Sequence, residues 1–225
     1  MLRTAPMSHT QLAATVAAPP ADPLFALDRL GTRLGFARDC QIFAEGDAAQ
    51  HMYKVLSGTV RVCKVLPDGR RHIASFHFAG DFFGFEDLTL RHHSAEAIGD
   101  VVVMRYPRLA IEQAAAREPA LARRLREMAL DELAAAHQRM LCLGRKTATE
   151  RVVSFLLDMA ERDGVDEPIE LPMSRYDIAD YLGLTIETVS RVLGALRCAG
   201  AIAVPQAQRI DILDRPALDE VALAA

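Results

Sequence analysis

The segment at positions 174–200, SRYDIADYLGLTIETVSRVLGALRCAG, restricts the fold of this chain more than any other part. Ser174 and Asp177 have the spacing of a capping box, which predicts that a helix begins there. Gly183 can take the left-handed conformation that ends this helix in a tight turn, and Thr185 can cap the next helix. The segment therefore predicts two short helices joined by a tight turn.

The apolar residues of this segment fit two helices that cross closely. Ala179 is small where the second helix must pass, and Leu184 closes the corner after the turn. The predicted inner faces consist of Ile178, Ala179 and Leu182 on the first helix, and of Val189, Val192, Leu193 and Leu196 on the second. This packing is that of a helix-turn-helix at about residues 174–198. A corner of two helices without contact to DNA is the alternative.

The outer side of the second helix favours DNA binding over that alternative. Glu187, Ser190 and Arg191 are spaced so that they project together from its N-terminal half, which enters the major groove in this motif. Arg can bond to guanine O6 and N7, Glu can accept from cytosine N4, and Ser can contact several base edges. We predict that these three residues read DNA bases.

Four further residues of the motif suit contacts to the DNA backbone, where hydroxyl and guanidinium groups commonly bind phosphate. They are Ser174, Arg175, Thr185 and Thr188. One recognition helix reads only a few base pairs, so we expect a dimer whose two helices meet half-sites about 34 Å apart. The expected partner is therefore double-stranded DNA with an inverted repeat.

Residues 40–107 have the composition of β structure. Alternating Val-rich runs are interrupted by turn residues at Ser57-Gly58, Pro67-Asp68-Gly69 and Gly80-Asp81. Two separate strands, SAEAI and VVVMRY, close the set. Many short strands with a turn every ~8–12 residues predict an antiparallel β-barrel or jelly roll.

A long helix follows the β region. Pro119 suits its first turn, and the helical pattern continues to about Leu143, a span of ~25 residues or ~37 Å. This is longer than a small barrel needs, and a seam between two helices explains the extra length; packing on its own barrel is the alternative. The predicted dimer interface consists of Leu121, Leu125, Met128, Leu133, Ala136, Met140 and Leu143.

These patterns predict an α+β chain in four parts. They are a flexible N-terminal arm at 1–23, a β-barrel at 24–117, a dimerisation helix at 118–143 and a winged helix-turn-helix DNA-binding domain at 144–225. Inside the last part, Thr147 and Glu150 have capping-box spacing and predict the start of another helix.

The composition narrows the class of protein. The net charge of −4 argues against a broad basic surface for nucleic acids but allows a local one. No apolar run approaches the ~20 residues that cross a bilayer, so we expect a cytoplasmic protein without a membrane partner. The four cysteines are far apart and include no C-x-x-C pair, which predicts neither disulfides nor a metal cofactor.

From about residue 24 onward the chain resembles the CRP/FNR superfamily of transcription regulators. The resemblance rests on the segments EGD, VLSGTVRV, DGRRHIASFHFAGDFFGF and LGLTIETVSRVLGALRCAG. It implies a barrel like that of cyclic-nucleotide-binding proteins, and contact with RNA polymerase through the Pro67–Arg71 hairpin and the Gly80-Asp81 turn. Its E-T-V-S-R stretch is similar to the FNR/FixK type, which implies a TTGA-type half-site.

The departures from this family's patterns narrow the resemblance. Where cyclic-nucleotide receptors carry a Glu after Gly and an Arg-Ser pair, this chain has Gly84-Phe85 and His93-Ser94, which argues against cAMP. Residues 1–23 contain no Cys and Met104 stands at the barrel position of a further cluster Cys, which argues against an oxygen-labile [4Fe–4S] cluster. The FixK-like branch remains, which implies an activator of low-oxygen respiration and nitrogen-fixation genes that is not an enzyme and needs no effector or cofactor.

Other functions remain as alternatives. A cupin-type metal enzyme would use His51, His72, His77, His92, His93 and Glu86, but the H-x-H spacing of such sites is missing. A regulator gated by a cyclic nucleotide, by haem or by redox chemistry is another alternative; oxidation of Cys198, next to Arg197, could block DNA binding. The tail DEVALAA resembles chain ends read by Clp proteases, with a frayed helix end as the plainer interpretation.

Overall fold

The computed structural model of the chain describes residues 22–85, 89–164 and 168–223. A short 3-10 helix (Pro23–Leu27) precedes a sheet of the strands β1 (Thr32–Phe36), β2 (Gln41–Phe43), β3 (His51–Val65), β4 (Arg71–His77), β5 (Phe82–Phe83) and β6 (Ser94–Pro107). The helices α1 (Arg108–Arg117), α2 (Pro119–Arg145) and α3 (Ala148–Asp163) follow. The C-terminal part contains β7 (Ile169–Glu170), α4 (Arg175–Leu182), α5 (Ile186–Cys198), β8 (Ile202–Gln206), β9 (Arg209–Ile212) and α6 (Arg215–Leu223).

All strand pairs of the N-terminal sheet are antiparallel. The main order is β1-β6-β3-β4, while β2 pairs with β6 and β5 pairs with β3. In the C-terminal part, β8 and β9 form an antiparallel hairpin beside α5, and β7 joins its outer edge. The predicted α+β class, with an antiparallel jelly-roll-like unit followed by a winged helix-turn-helix, is confirmed. Of the predicted flexible arm, residues 1–21 lie outside the described residues.

The predicted turn at Ser57-Gly58 is wrong. Gly58 has a φ of 81° but lies inside β3, where the pairing with β6 shifts register between Val55 and Thr59. A Cβ atom at this glycine would collide with the backbone oxygen of Asp100. The glycine therefore allows a bulge rather than a chain reversal, because the backbone stays paired on both sides of it.

The two last strands predicted for the sheet are one strand. Residues 94–98 and 101–106 both belong to β6, which continues through Gly99 at a φ of 77°. As at Gly58, a residue typical of turns is accommodated within a long strand. The sheet thus has fewer and longer strands at its centre than the turn residues alone suggest.

The long helix forms as predicted and ends at Arg145. Leu121, however, is fully buried in the chain's own core with Leu27, Tyr106 and Ile111. Its assignment to the dimer interface is therefore wrong, because no surface of it is left for a partner. Leu125 and Met128 are partly buried against the same core. The N-terminal half of α2 therefore packs on its own β domain, as the alternative interpretation expected.

The C-terminal part has its own core, and its helix α3 begins at the capping box that the sequence predicted. Thr147 caps α3 in a capping box: its backbone N–H donates to Glu150 at 2.7 Å, and its hydroxyl accepts from the Glu150 N–H at 3.4 Å. The core extends to the sheet, where the ring of Tyr181 lies 5.1 Å from that of Phe76 and 5.8 Å from that of Phe155. Within the described ranges, no helix is long and apolar enough to cross a membrane.

Candidate DNA-binding site

The first helix of the predicted motif, α4, begins and ends at the expected residues. Ser174 is its N-cap: the Ser174 hydroxyl accepts from the Asp177 N–H at 3.1 Å, and the Asp177 carboxylate accepts from the Ser174 N–H at 3.0 Å. Gly183 ends the helix at a φ of 61° and a ψ of 39°. The capping box and the left-handed turn predicted from the sequence are both confirmed.

The second helix, α5, is held against α4 by its apolar side. The hydroxyl of Thr185 accepts from the Thr188 N–H at 3.2 Å and so caps the helix. The buried inner face consists of Val189, Val192, Leu193 and Leu196, which pack with Ile178, Ala179 and Leu182 of α4. These are the residues that the pattern assigned to the crossing, so the outer side of α5 is left for a ligand.

The three residues predicted to read bases lie together on that outer side. Glu187, Ser190 and Arg191 are all exposed. Arg191 is oriented by Thr188, whose hydroxyl accepts from its guanidinium at 3.3 Å. Hydrogen bonds from its own backbone N–H and from Thr185 lower the pKa of the Glu187 carboxyl. The face thus presents a carboxylate, a hydroxyl and a guanidinium within one turn of a helix, which is a donor and acceptor set suited to base edges.

A second basic residue beside this face was missed in the sequence. Arg197 and Arg175 line one shallow cavity of about 220 Å³ with Ser190 and Val204 of the hairpin. The sequence contained a signal for this residue: Arg197 follows Ser190 by seven residues and therefore lies on the same side of α5. Two guanidinium groups at the edge of the recognition helix form a positive site suited to a DNA phosphate.

The family of the chain follows from its relatives. Residues 150–221 match the Crp-like helix-turn-helix domain, and residues 33–118 match the cyclic nucleotide-binding domain. The nitrogen fixation regulation protein FixK of Azorhizobium caulinodans is 44% identical over 203 residues, which cover 88% of this chain and 82% of that protein. The chain belongs to the CRP/FNR family. As a member of it, the protein is a transcription regulator that binds DNA through its helix-turn-helix.

Two solved structures agree with the fold. FixK2 from Bradyrhizobium japonicum is 44% identical and has a TM-score of 0.83, with 87% of this chain and 98% of that one covered. A CooA mutant from Carboxydothermus hydrogenoformans has a TM-score of 0.77 at 19% identity, covering 91% of this chain and 97% of that one; this likeness concerns the fold alone. The activator type expected from the sequence agrees with the relatives, which include a transcriptional activatory protein from Rhodopseudomonas palustris that is 37% identical over 88% of this chain and 84% of that protein.

The C-terminal half of α2 carries a stripe of exposed apolar side chains. Its large side chains are all more than half exposed: Leu130, Leu133, Met140 and Leu141. They recur at helical spacing around the exposed Ala136, which is the pattern of a seam between two helices. Leu130 and Leu141 are absent from the predicted interface, whereas Leu143 is half-buried against the DNA-binding part. The stripe thus covers the C-terminal part of the predicted interface, whereas the N-terminal part of that interface packs on the β domain.

The inside of the β domain, which matches the cyclic nucleotide-binding domain, contains a packed cluster of aromatic and apolar side chains. The rings of Tyr53 and His77 stack on Phe83 at centroid distances of 5.1 and 5.3 Å. Arg91, a buried residue that sequence reasoning missed, places its guanidinium 4.2 Å from the centre of the Phe43 ring. It also donates to the backbone oxygens of Gly84, at 3.1 Å, and of His51. This arginine is thus engaged by the protein's own carbonyl groups.

The remaining predicted sites stay predictions. In the part of the chain that the structure describes, no three His, Cys, Asp or Glu side chains come together as metal ligands; Glu86 lies outside that part. Cys198 is the exposed last residue of α5 and lies seven positions after Arg191, on the same side of the helix as that predicted base-reading residue. The last two residues of the proposed Clp signal, 224–225, also lie outside the described residues.

Proposed function

We propose that this regulator binds as a homodimer to an inverted TTGA-type repeat and activates genes for low-oxygen respiration and nitrogen fixation. The observation that carries the proposal is the exposed face of Glu187, Ser190 and Arg191 on α5. The names of the FixK relatives support the choice of target genes. Ser174, Arg175, Thr185 and Thr188 bind the DNA backbone, and the protein acts in the cytoplasm with RNA polymerase as its second partner.

The dimer of this proposal is formed by the exposed stripe of α2. Apolar residues that stay more than half exposed on one helical face are costly in water and are buried readily against a second copy. A dimer also matches the inverted repeat, since each subunit then reads one half-site. Leu125, Met128 and Leu143 flank the stripe, and Leu133, Ala136 and Met140 belong to it.

We further propose that DNA binding needs no small-molecule effector. The aromatic cluster and Arg91 pack inside the β domain, and two nitrogens of that arginine, Nη1 and Nη2, donate to the backbone oxygens of Gly84 and His51. A cyclic nucleotide would have to displace these rings and break these hydrogen bonds, which is unfavourable for buried polar groups. The domain therefore acts as a rigid platform for the helices.

A gel shift without added ligand tests the proposal. The probe is a duplex with an inverted TTGA repeat, and the variants are Arg191→Ala and Glu187→Ala. We expect a specific complex at moderate salt, and a loss of about 1–3 kcal/mol for each base contact removed. Glu187→Ala also lowers the discrimination between the native repeat and one with altered bases.

The matched control is Arg123→Ala, which removes an exposed arginine of α2 far along the chain from the recognition helix. It leaves the complex unchanged. Absence of a specific shift by the untreated wild-type protein contradicts the effector-free proposal, and equal losses in Arg123→Ala and Arg191→Ala contradict base reading by α5.

A further inference from the structure

The helix-turn-helix is fixed to the β domain by a group of ion pairs, which we name the clasp: Arg61, Arg71, Asp177 and Asp180. Arg71 binds two carboxylates of α4, with its Nη2 2.6 Å from Asp177 and its Nε 2.8 Å from Asp180. Arg61 reaches the same oxygen of Asp177 at 3.3 Å. Both arginines belong to the sheet and both aspartates belong to α4, more than 100 positions later in the chain.

Asp177 is the centre of the clasp because its two carboxylate oxygens serve different partners. One oxygen accepts from the N–H and the hydroxyl of Ser174 and closes the capping box of α4. The other accepts from the two arginines of the sheet. The start of the motif's first helix is therefore bonded to the β domain through a single, rigidly held side chain.

The surroundings make these contacts directional and strong. The side chains of Asp177 and Arg61 are only 6% and 11% exposed, so solvent and salt screen their interaction weakly. Arg61 is itself held at 2.8 Å by Glu96 of the neighbouring strand β6. Burial alone would raise the pKa of the Asp177 carboxyl, but hydrogen bonds from Ser174 and the charges of the two arginines bring it below its usual value.

A second contact prevents rotation about the clasp. Arg162 of α3 pairs at 2.6 Å with Asp81, which lies in the turn between β4 and β5, and its guanidinium lies 4.4 Å from the centre of the Phe78 ring. The clasp and this ion pair connect the β domain to the DNA-binding part at two separate places, and the rings of Phe76 and Tyr181 pack between the same two parts. Together these contacts fix the orientation of one part relative to the other. The outer face of α5 is thereby held in one direction relative to the sheet.

We propose that Asp177 is a positioning residue, which through the clasp orients the recognition helix so that the two helices of a dimer match the half-site separation without a ligand. The inference rests on the proposed dimeric, effector-free function. Asp177 does not contact bases in this proposal; it acts through the direction of α4 and α5. Loss of the clasp therefore changes which spacing of half-sites is bound, and not how one half-site is read.

The test reverses the charge of Arg71 without touching the capping box. Arg71→Glu places a third carboxylate beside Asp177 and Asp180, whereas the double variant Arg71→Glu with Asp180→Arg restores one ion pair in opposite polarity. Arg70→Glu is the matched control, because Arg70 is the adjacent residue, has the same charge change and pairs with Asp68 of its own turn rather than with α4. Asp180→Asn is a milder variant of the same contact.

Binding is measured on duplexes with the native repeat, with one base pair more or less between half-sites, and with a single half-site. We expect Arg71→Glu to bind the native repeat about tenfold more weakly and to lose its preference for that spacing. Affinity for the single half-site stays within about twofold, and the double variant recovers most of the preference. Equal behaviour of Arg71→Glu and Arg70→Glu, or a parallel loss on the single half-site, overturns the proposal.

A measurement without DNA separates this inference from the proposed operator. Spin labels on the exposed Cys40, in the turn before β2, and on Cys198 of α5 report the orientation within one protomer, in a Cys142→Ser background diluted with unlabelled protein. A narrow distance distribution in wild type and Arg70→Glu, and a broad one in Arg71→Glu and Asp180→Asn, supports the clasp even if no variant shifts the repeat. In that case the operator proposal fails alone; an unchanged distribution in both clasp variants overturns the clasp.

Discussion

His77 is a single residue whose chemistry is set by the interior of the β domain. Its Nε2 lies 2.9 Å from the hydroxyl of Ser75, and its ring stacks on Phe83. Both His77 and Ser75 are buried. Burial lowers the pKa of His77 below 6.5, because the charged ring would lose its hydration. The residue is thus a neutral partner of the aromatic cluster rather than a surface charge.

This burial makes the free energy of unfolding depend on pH. Since the pKa of His77 is lower in the folded state, the unfolded chain takes up a proton first as the pH falls below about 6.5. We therefore expect stability to decrease between pH 6.5 and the folded-state pKa, by at most about 1.4 kcal/mol per pH unit from this group. Denaturant unfolding at pH 7.5 and 5.5 measures it.

His77→Gln removes that contribution and should lose less stability between the two pH values than the wild type. The control is His92→Gln. His92 is exposed, so this variant removes no buried ring and should retain the wild-type pH dependence. If both variants lose stability in parallel with the wild type, burial of His77 does not contribute to the pH dependence.

Helices and strands differ in how well the sequence predicted them. The starts of α3 and α4 and the end of α4 depend on residues within one turn of each other, so Thr147, Ser174 and Gly183 sufficed. Gly58 was predicted as a turn residue and Gly99 lies between two strands that were predicted as separate, yet both glycines lie inside long strands. Pairing with a distant strand decides that outcome, and no local pattern records it.

The helix α2 shows the same limit on a larger element. Its two halves have similar apolar spacing, but the first half is buried by the chain's own core and the second is bare. Only the position of the helix against the β domain distinguishes them, which is why Leu121 was misassigned and Leu130 was missed. Leu133, Ala136 and Met140 lie on the exposed half, and their place in a dimer interface stays a prediction.

The bare half of α2 makes a prediction about assembly. Leu133→Glu introduces a charge into the centre of the stripe and occurs twice in a symmetric dimer. Burial of a leucine side chain contributes about 1.5–3 kcal/mol, so the loss of two such contacts should weaken the dimer by about 3 kcal/mol or more, or about 100-fold in Kd. Sedimentation equilibrium over a dilution series measures this constant.

Leu109→Glu is the control for the stripe. Leu109 is also an exposed leucine, 66% accessible, but it lies on α1. The same charge introduced there should leave the dimer constant unchanged. A dimer that is equally stable in Leu133→Glu and Leu109→Glu is formed by another surface, and the proposed seam would then be wrong.

The whole molecule combines a net charge of −4 with a local group of arginines at the recognition helix. Such a distribution repels DNA weakly over most of the surface and attracts it at one place. In our proposal the clasp orients the recognition helix that carries these arginines. Its members are too far apart in the chain for any sequence pattern to connect them. The exposed face of Glu187, Ser190 and Arg191 could therefore be predicted from the motif, while the contacts that hold its helix against the β domain required the folded structure.

The dependence of binding on salt measures how many phosphates this local group neutralises. Each contact to a phosphate in duplex DNA contributes about 0.9 to the slope of log K against log salt concentration. Arg197 lies at the edge of the recognition helix beside Arg175, so Arg197→Ala should lower the slope by about 0.9 per subunit, or about 2 for a dimer. The preference among base sequences should stay as in wild type, because a phosphate contact carries no base information.

Gel shifts at four or more salt concentrations give both the slope and the base preference, with Arg123→Ala as the control of equal charge change. A wild-type slope in Arg197→Ala means that this arginine does not contact the DNA backbone.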